Sequence, residues 1–239
     1  MNYLEKQVQT ARMRVAETYI SGLGIEVGAG SRPFPLPPSA RAAQGDIRNK
    51  SGLASYFSTT DVVTPDFIDA QTFAGVRDSS LDFVISAHVI EHLRDPVGAI
   101  VHAIRVLHPG GVFILVVPDR CHTFDKRRPN TTVRHVLADF SDGGESTTKD
   151  AYREHLTYVH PHLTGEILSE EEIERQASWN ATHWREFDIH FHAWDRVAFE
   201  DMLAPITRLA PFRVIHVESV VNENIFVLRR RRIFLGITL

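Results

Sequence analysis

The sequence predicts an α/β fold built on a mostly parallel sheet, and three observations carry the prediction. Residues 81–86 (LDFVIS) and 112–117 (VFILVV) are nearly continuous apolar runs, the kind buried on both faces of a parallel sheet. Between them Asp95-Pro96 opens a helix with a capping side chain followed by proline at the first helical position. Its stripe of Val97, Ile100, Ile104 and Leu107 stops at Pro109-Gly110-Gly111, completing a β-α-β unit. At the far end, PFRVIHVESV and NENIFVLRR read as two strands joined by a tight turn, an antiparallel pair that closes the sheet.

The remaining elements follow in order. Leu4, Val8, Ala11, Val15 and Tyr19 are spaced as one face of a helix over 3–20, which ends at the Ser21-Gly22 break. Residues 23–27 (LGIEV) are a strand running into the glycine turn Gly28-Ala29-Gly30. The proline-rich SRPFPLPPSA cannot be a regular helix and is expected as an ordered loop over that turn. A second strand is expected to end at Asp46, and a short third strand to lie near 61–69. From 119 to 195 the chain turns polar, aromatic and histidine-rich, with one clear helix start where Ser169 and Glu172 form a capping box. This stretch reads as an insertion within a single domain spanning 1–239, and the fold resumes with a helix over 196–204.

Composition narrows the function. A formal net charge of −4 and pI near 6.3 supply no general attraction to polyanions, so nucleic acid is not favoured as a partner. The single cysteine, Cys121, excludes an internal disulfide and a cysteine-based zinc ribbon, and it suits a reducing compartment; cytoplasm is the expected location. No stretch approaches the roughly 20 apolar residues of a membrane span. Of thirteen histidines, several lie close together between 155 and 192.

His88-Val89-Ile90-Glu91-His92 matches the H-x-x-E-H pattern of inverted zinc peptidases, which need both histidines on one helix so that they face one metal. Here His88 follows a buried strand by two residues, and the next helix starts only at Asp95-Pro96. The motif therefore falls in the strand-to-helix turn, with room for one short helical turn. A zinc-dependent hydrolase built on HVIEH is the alternative function; it requires bound zinc and no affinity for S-adenosylmethionine.

The order of the parts points elsewhere. Glu26-Val27-Gly28-Ala29-Gly30 after the first strand, an acidic residue ending the second, and LDFVISAHVIEHLRDP followed by HAIRVLHPGGVFILVVPD together resemble the class I S-adenosylmethionine-dependent methyltransferases. The resemblance spans residues 22–120 plus the final strand pair. It implies a Rossmann-like, doubly wound, seven-stranded mostly parallel sheet with a C-terminal antiparallel pair and a helical or irregular insertion. VVPDRCHTFDKRRPNTT and HFHAW further resemble a bacterial subgroup found with surface-polysaccharide and sugar biosynthesis genes. That implies a small-molecule or glycan-precursor acceptor, a carbohydrate or phosphorylated or nucleotide-linked sugar, methylated at oxygen.

In such a fold the ligand sits beyond the carboxyl ends of the strands where their order reverses. The resemblance places Gly28 and Gly30 around the amino-acid part of S-adenosylmethionine and Glu26 on its ammonium, directly or through water; the bland reading has Glu26 merely capping the turn. Asp46 accepts both ribose hydroxyls, matching two oxygens to two donors. Asp69 and Ala70 recognise adenine by carboxylate and backbone N–H, with Asp66 as competitor. His88 lies beside the sulfonium end.

Methyl transfer to a hydroxyl needs a base, and histidine suits neutral pH. His122, His155, His190 and His192 are the candidates. His160-Pro161-His162 and His190-Phe191-His192 each place two imidazoles on one side of an extended segment, so a divalent metal on His190 and His192 is expected, completed by Asp188 or Glu154. The plain alternative is a lid held by paired imidazoles. Arg128, in DKRR, is expected at the pocket mouth as a phosphate fork. A third function, a cofactor-binding regulator without catalysis, predicts binding that is indifferent to His122, His190 and His192.

Overall fold

The computed structural model describes residues 2–234 and 237–238. Seven strands form one sheet: β1 (Gly22–Val27), β2 (Ala40–Asp46), β3 (Asp66–Phe67), β4 (Leu81–Ala87), β5 (Leu107–Pro118), β6 (Phe212–Val220) and β7 (Glu223–Arg230). Their order is β3-β2-β1-β4-β5-β7-β6. All pairings from β3 to β5 are parallel, and β7 runs antiparallel to both β5 and β6. The chain builds outward from β1 through β2 to β3, then crosses back to β4. The order therefore reverses between β1 and β4, and their carboxyl ends open the crevice expected of a doubly wound sheet.

Alternate residues of the central strands point to opposite faces, and helices cover both, which is why these strands read as nearly continuous apolar runs. On one face Val84, Phe113, Leu115, Phe226 and Leu228 pack with α3 (Pro96–Val106) and α8 (Arg196–Ile206). On the other, Phe83, Ile85, Ile114, Val116 and Ile225 pack with Ala11, Val15, Ala16 and Ile20 from α1 (Tyr3–Tyr19) and its end. Each large apolar side chain so buried contributes about 1.5–3 kcal/mol. The Asp95 side chain accepts the Gly98 N–H at 2.7 Å, and Asn2 with Glu5 forms a capping box on α1.

Some boundaries differ from the sequence reading. β5 begins at Leu107, so Pro109-Gly110-Gly111 lies inside a long strand; left-handed Gly110 (φ 97°) and a register shift against β4 absorb the irregularity. β3 is only two residues, and α2 (Lys50–Tyr56), capped by Asn49, forms from a stretch with a single buried residue, Leu53, and so no apolar stripe.

The stretch between β5 and α8 is far more helical than its polar sequence suggests. It holds α4 (Val133–Asp142), α5 (Thr148–Glu154), a π-helical turn at His155–Val159, α6 (His160–Thr164) and α7 (Glu170–Thr182), whose Ser169–Glu172 capping box forms as expected. Ala151, Tyr152, Leu156, Ile173, Ala177, Ile189 and Phe191 give it a core of its own. The chain leaves the sheet at Asp119 and returns at Trp194, where the two residues form a parallel bridge. His160 is helical (φ −51°, ψ −50°), not extended, because the π turn carries the helix straight into Pro161. His160 and His162 therefore point about 200° apart around a helix and cannot share a metal as an extended pair would. No described helix is long and apolar enough to cross a membrane.

Candidate functional site

The glycine turn closes β1 over the crevice. Gly28 (φ 69°) and Gly30 (φ 56°) are left-handed, and a Cβ on either would collide, with Val89 at Gly28 and with the Phe57 ring at Gly30. Glycine alone fits both positions. The Gly28 N–H donates to the Gly45 carbonyl at 2.8 Å, pinning the turn to β2. Beneath it Glu26 is buried; its Oε1 accepts the Phe34 N–H at 2.8 Å and its Oε2 the Gln44 amide at 3.3 Å. Burial pushes the Glu26 carboxyl up, against those two bonds and the Arg12 charge. Glu26 thus holds the proline-rich loop beneath the turn.

Asp46 ends β2, where its Oδ1 accepts the Arg48 N–H at 2.8 Å. The Ile68 N–H donates to the Asp46 carbonyl, bringing the following Asp69 and Ala70 to the same edge. Asp69 Oδ1 accepts the Gln71 N–H at 2.8 Å, Ala70 packs against the core, and Asp66 sits exposed on β3.

His88 stands at the tip of β4 in the left-handed region (φ 54°). Its N–H donates to the Val116 carbonyl at 2.9 Å, and its Nε2 lies 2.9 Å from Glu223 Oε2. Glu223 is also gripped by both arms of Arg12, at 3.0 and 2.6 Å. Burial raises the Glu223 carboxyl, but His88 and Arg12 outweigh it and hold it below the usual carboxylate range. Nothing local marks Arg12 and Glu223 as partners, since they are 211 residues apart.

Beyond His88 the chain makes a single 3-10 turn at Ile90–His92. His88 and His92 do not converge as an inverted zinc peptidase requires: His88 turns to Glu223, whereas His92 Nδ1 lies 2.8 Å from Asp188 Oδ1. Asp188 Oδ2 also accepts from the Tyr56 hydroxyl at 2.7 Å and from Arg48 at 3.4 Å. Burial alone would raise Asp188, but these three donors pull it down to about 2. Burial works against the charged His92 ring, and Asp188 and Glu91 prevail, raising it.

His190 and His192 come back over this turn from the far end of the insertion, and the His192 N–H donates to the Glu91 carbonyl at 3.2 Å. Their rings part company. His190 Nδ1 lies 2.6 Å from Asp125 Oδ2, whereas His192 Nε2 lies 2.9 Å from Asp139 Oδ2. The chain bends at Phe191 and is not a strand, so the two-residue repeat that would align the rings is broken. Among the described residues, no group of three candidate metal ligands contains both. Instead His190 converges with Glu91 and His92, and His192 with His135 and Asp139.

Arg128 is buried, not at a pocket mouth. Its guanidinium donates to Asp125 at 3.0 Å, to Glu154 at 3.2 and 2.8 Å, and to the carbonyls of His190 and Phe191 at 2.8 and 3.1 Å. With its fork so occupied it clamps the HFH segment and leaves nothing for a phosphate. Glu154 is likewise committed to Arg128. His122 is exposed on a 3-10 turn after β5. His155 begins the π turn, its Nδ1 buried without a partner, and burial together with the Arg128 charge lowers it to about 4.

Against known proteins, residues 41–115 match the family model described as "Methyltransferase domain". A "Probable S-adenosylmethionine-dependent methyltransferase" of Mycolicibacterium smegmatis is 46% identical over 43 residues, a match that covers 18% of this chain and only 17% of that relative. A possible histamine N-methyltransferase from Thermotoga maritima superposes with TM-score 0.53 at 12% identity, covering 95% of this chain and 91% of the other. The N-methyltransferase NodS of Bradyrhizobium japonicum, solved with S-adenosyl-L-homocysteine, superposes with TM-score 0.50 at 13% identity, covering 96% and 88%. The chain has the Rossmann-like fold of these enzymes.

Proposed function

We propose that the protein is an S-adenosylmethionine-dependent methyltransferase acting at a hydroxyl of a carbohydrate or of a phosphorylated or nucleotide-linked sugar. The observation that carries the reading is one of place: within a chain matching a methyltransferase domain, the glycine turn, Asp46 and the tip of β4 meet where the strand order reverses. The residues fit the cofactor. Gly28 and Gly30 carry no side chain at two positions of the turn, Asp46 keeps a carboxylate at the edge of β2 for paired hydroxyls, and Asp69 with Ala70 lies beside it for adenine.

When bound, S-adenosylmethionine supplies a methyl carbon on a sulfonium: an acceptor oxygen pair forms the C–O bond, the C–S pair returns to sulfur, and the hydroxyl proton leaves. The chain aligns the acceptor and receives that proton. His92 and His190 suit the task, because a carboxylate engages Nδ1 of each and leaves Nε2 as the nitrogen available to take the proton. With Arg128 withdrawn from the pocket, Lys126 and Arg127, both exposed on the neighbouring turn, are the cations available to a phosphorylated acceptor. The sugar class rests on the resemblance of VVPDRCHTFDKRRPNTT and HFHAW to the polysaccharide-associated subgroup.

Calorimetry with S-adenosylhomocysteine tests the core of the proposal. Wild-type protein should bind, and Asp46→Ala should weaken binding about tenfold to a hundredfold, the value of charge-assisted bonds to two hydroxyls. Affinity no better than about 1 mM in the wild type overturns the cofactor assignment. Screening nucleotide sugars with labelled cofactor then tests the acceptor, and transfer to amines alone overturns the assignment to oxygen.

A further inference from the structure

Glu91 is fully buried, yet neither of its carboxylate oxygens has a hydrogen-bond partner. An ionised carboxylate so placed is costly unless something positive meets it. Three imidazoles surround it: His88 Nδ1 lies 3.8 Å and His92 Nε2 4.0 Å from Oε1, and His190 stands edge-on to His92 with ring centroids 4.7 Å apart. Glu91, His92 and His190 each offer one ligand atom, and all three lie within 4.8 Å of one another.

The imidazoles are also oriented. Asp188 engages Nδ1 of His92 and Asp125 engages Nδ1 of His190, so Nε2 is the nitrogen of each ring left to meet an ion. A carboxylate behind each histidine is the arrangement that aims imidazoles at a metal and raises their basicity. The other convergent group lacks this feature: His192 bonds Asp139 directly, so that carboxylate already has its partner.

We propose that Glu91, His92 and His190 bind one divalent first-row transition ion, of the zinc, manganese or iron type, beside the tip of β4. Two imidazole nitrogens and one carboxylate oxygen favour such an ion over magnesium or calcium, which take mostly oxygen ligands. Three protein ligands leave positions open for an acceptor hydroxyl; with the ion bound, His92 and His190 act as its ligands and no longer as proton acceptors, and the ion acidifies the hydroxyl so that its proton is released to water. That use rests on the methyl transfer proposed above, whereas ion binding does not. HVIEH then contributes to a metal site after all, through Glu91 and His92 and a third ligand 98 residues beyond His92 in the chain, and not through the His88–His92 pair.

The test uses the full chain, stripped with a chelator and titrated with Co2+, read by its visible d–d absorption, and with Zn2+ by calorimetry. One ion per chain is expected. Glu91→Gln and His190→Ala should each weaken it at least about a hundredfold, Asp188→Asn about tenfold to a hundredfold by misorienting His92, and exposed His162→Ala not at all. If Glu91→Gln fails to fold, His190→Ala decides. No ion bound more tightly than about 1 mM, or unchanged affinity in His190→Ala, overturns the site. S-adenosylhomocysteine titrated into the same stripped protein separates the readings. Cofactor binding combined with failure of the Co2+ and Zn2+ titrations overturns the metal site alone; ion binding combined with failure of the cofactor titration overturns methyl transfer and leaves the site standing.

Discussion

Arg12→Met should be one of the more damaging single changes outside the crevice. Arg12 on α1 and Glu223 at the start of β7 form a two-armed pair whose side chains are 9% and 2% exposed. Removing one partner of a buried pair strands the other charge, at a cost of about 3–5 kcal/mol. His88 still contacts Glu223 at 2.9 Å, so the lower end, about 3 kcal/mol, applies. With a urea m-value of about 3 kcal/mol/M, the unfolding midpoint should fall by about 1 M. Glu223→Gln removes the other charge, so the double variant should cost at least about 1.5 kcal/mol less than the sum of the singles. The effect also has a pH signature. Glu223 is held below its ordinary range, so its contribution is fully present above the unfolded value of about 4.3 and disappears as pH falls through the folded value. The stability gap between wild type and Arg12→Met should therefore begin to narrow as pH falls below about 4.3 and keep narrowing with further acidification. A single-variant cost under about 1 kcal/mol, or additivity within about 0.5 kcal/mol, would refute the reasoning.

Two further outcomes follow from the same geometry. His155 is lowered from its ordinary 6.5 to about 4, so neutral His155 contributes stability that is intact above pH 6.5 and lost as pH falls toward 4. His155→Leu should flatten the urea-midpoint profile across that window by up to about 3 kcal/mol, and a profile as steep as wild type would contradict the assignment. Gly28→Ala forces a side chain into a left-handed turn and into Val89. It should cost at least about 2 kcal/mol, lowering Tm by about 4–8 °C, and a loss under 2 °C would show that the turn relaxes freely.

The parts of the fold that were legible in the sequence are those where short-range pattern and long-range packing agree. Ile85 and Ile114 sit in nearly continuous apolar runs because two helical layers meet there, and Asp95-Pro96 declares the start of α3 through one side chain and one ring. Gly28 and Gly30 stand at the crevice for reasons of backbone geometry that composition alone can signal. The insertion was opaque because its helices are short and amphipathic only around their own small core; the Tyr152–Phe191 contact joins residues with no local pattern in common. Arg128 looked like a surface fork because a charged run is solvated by default, and only the fold reveals Asp125, Glu154 and two carbonyls closing round it. The histidine pairs misled for a related reason. Spacing predicts which side chains share a side only when the backbone is known, and at 160–162 it is helical while at Phe191 it bends.

The bridge between Asp119 and Trp194 has a consequence for how such a chain can change. A segment of more than seventy residues departs and returns at one point on the sheet, so its ends stay joined whatever lies between them. Lengthening a loop whose ends already meet costs only a slowly growing entropy, about 0.6 kcal/mol per doubling. The helices beyond that bridge can therefore change in length without shifting the register of β5 against β7.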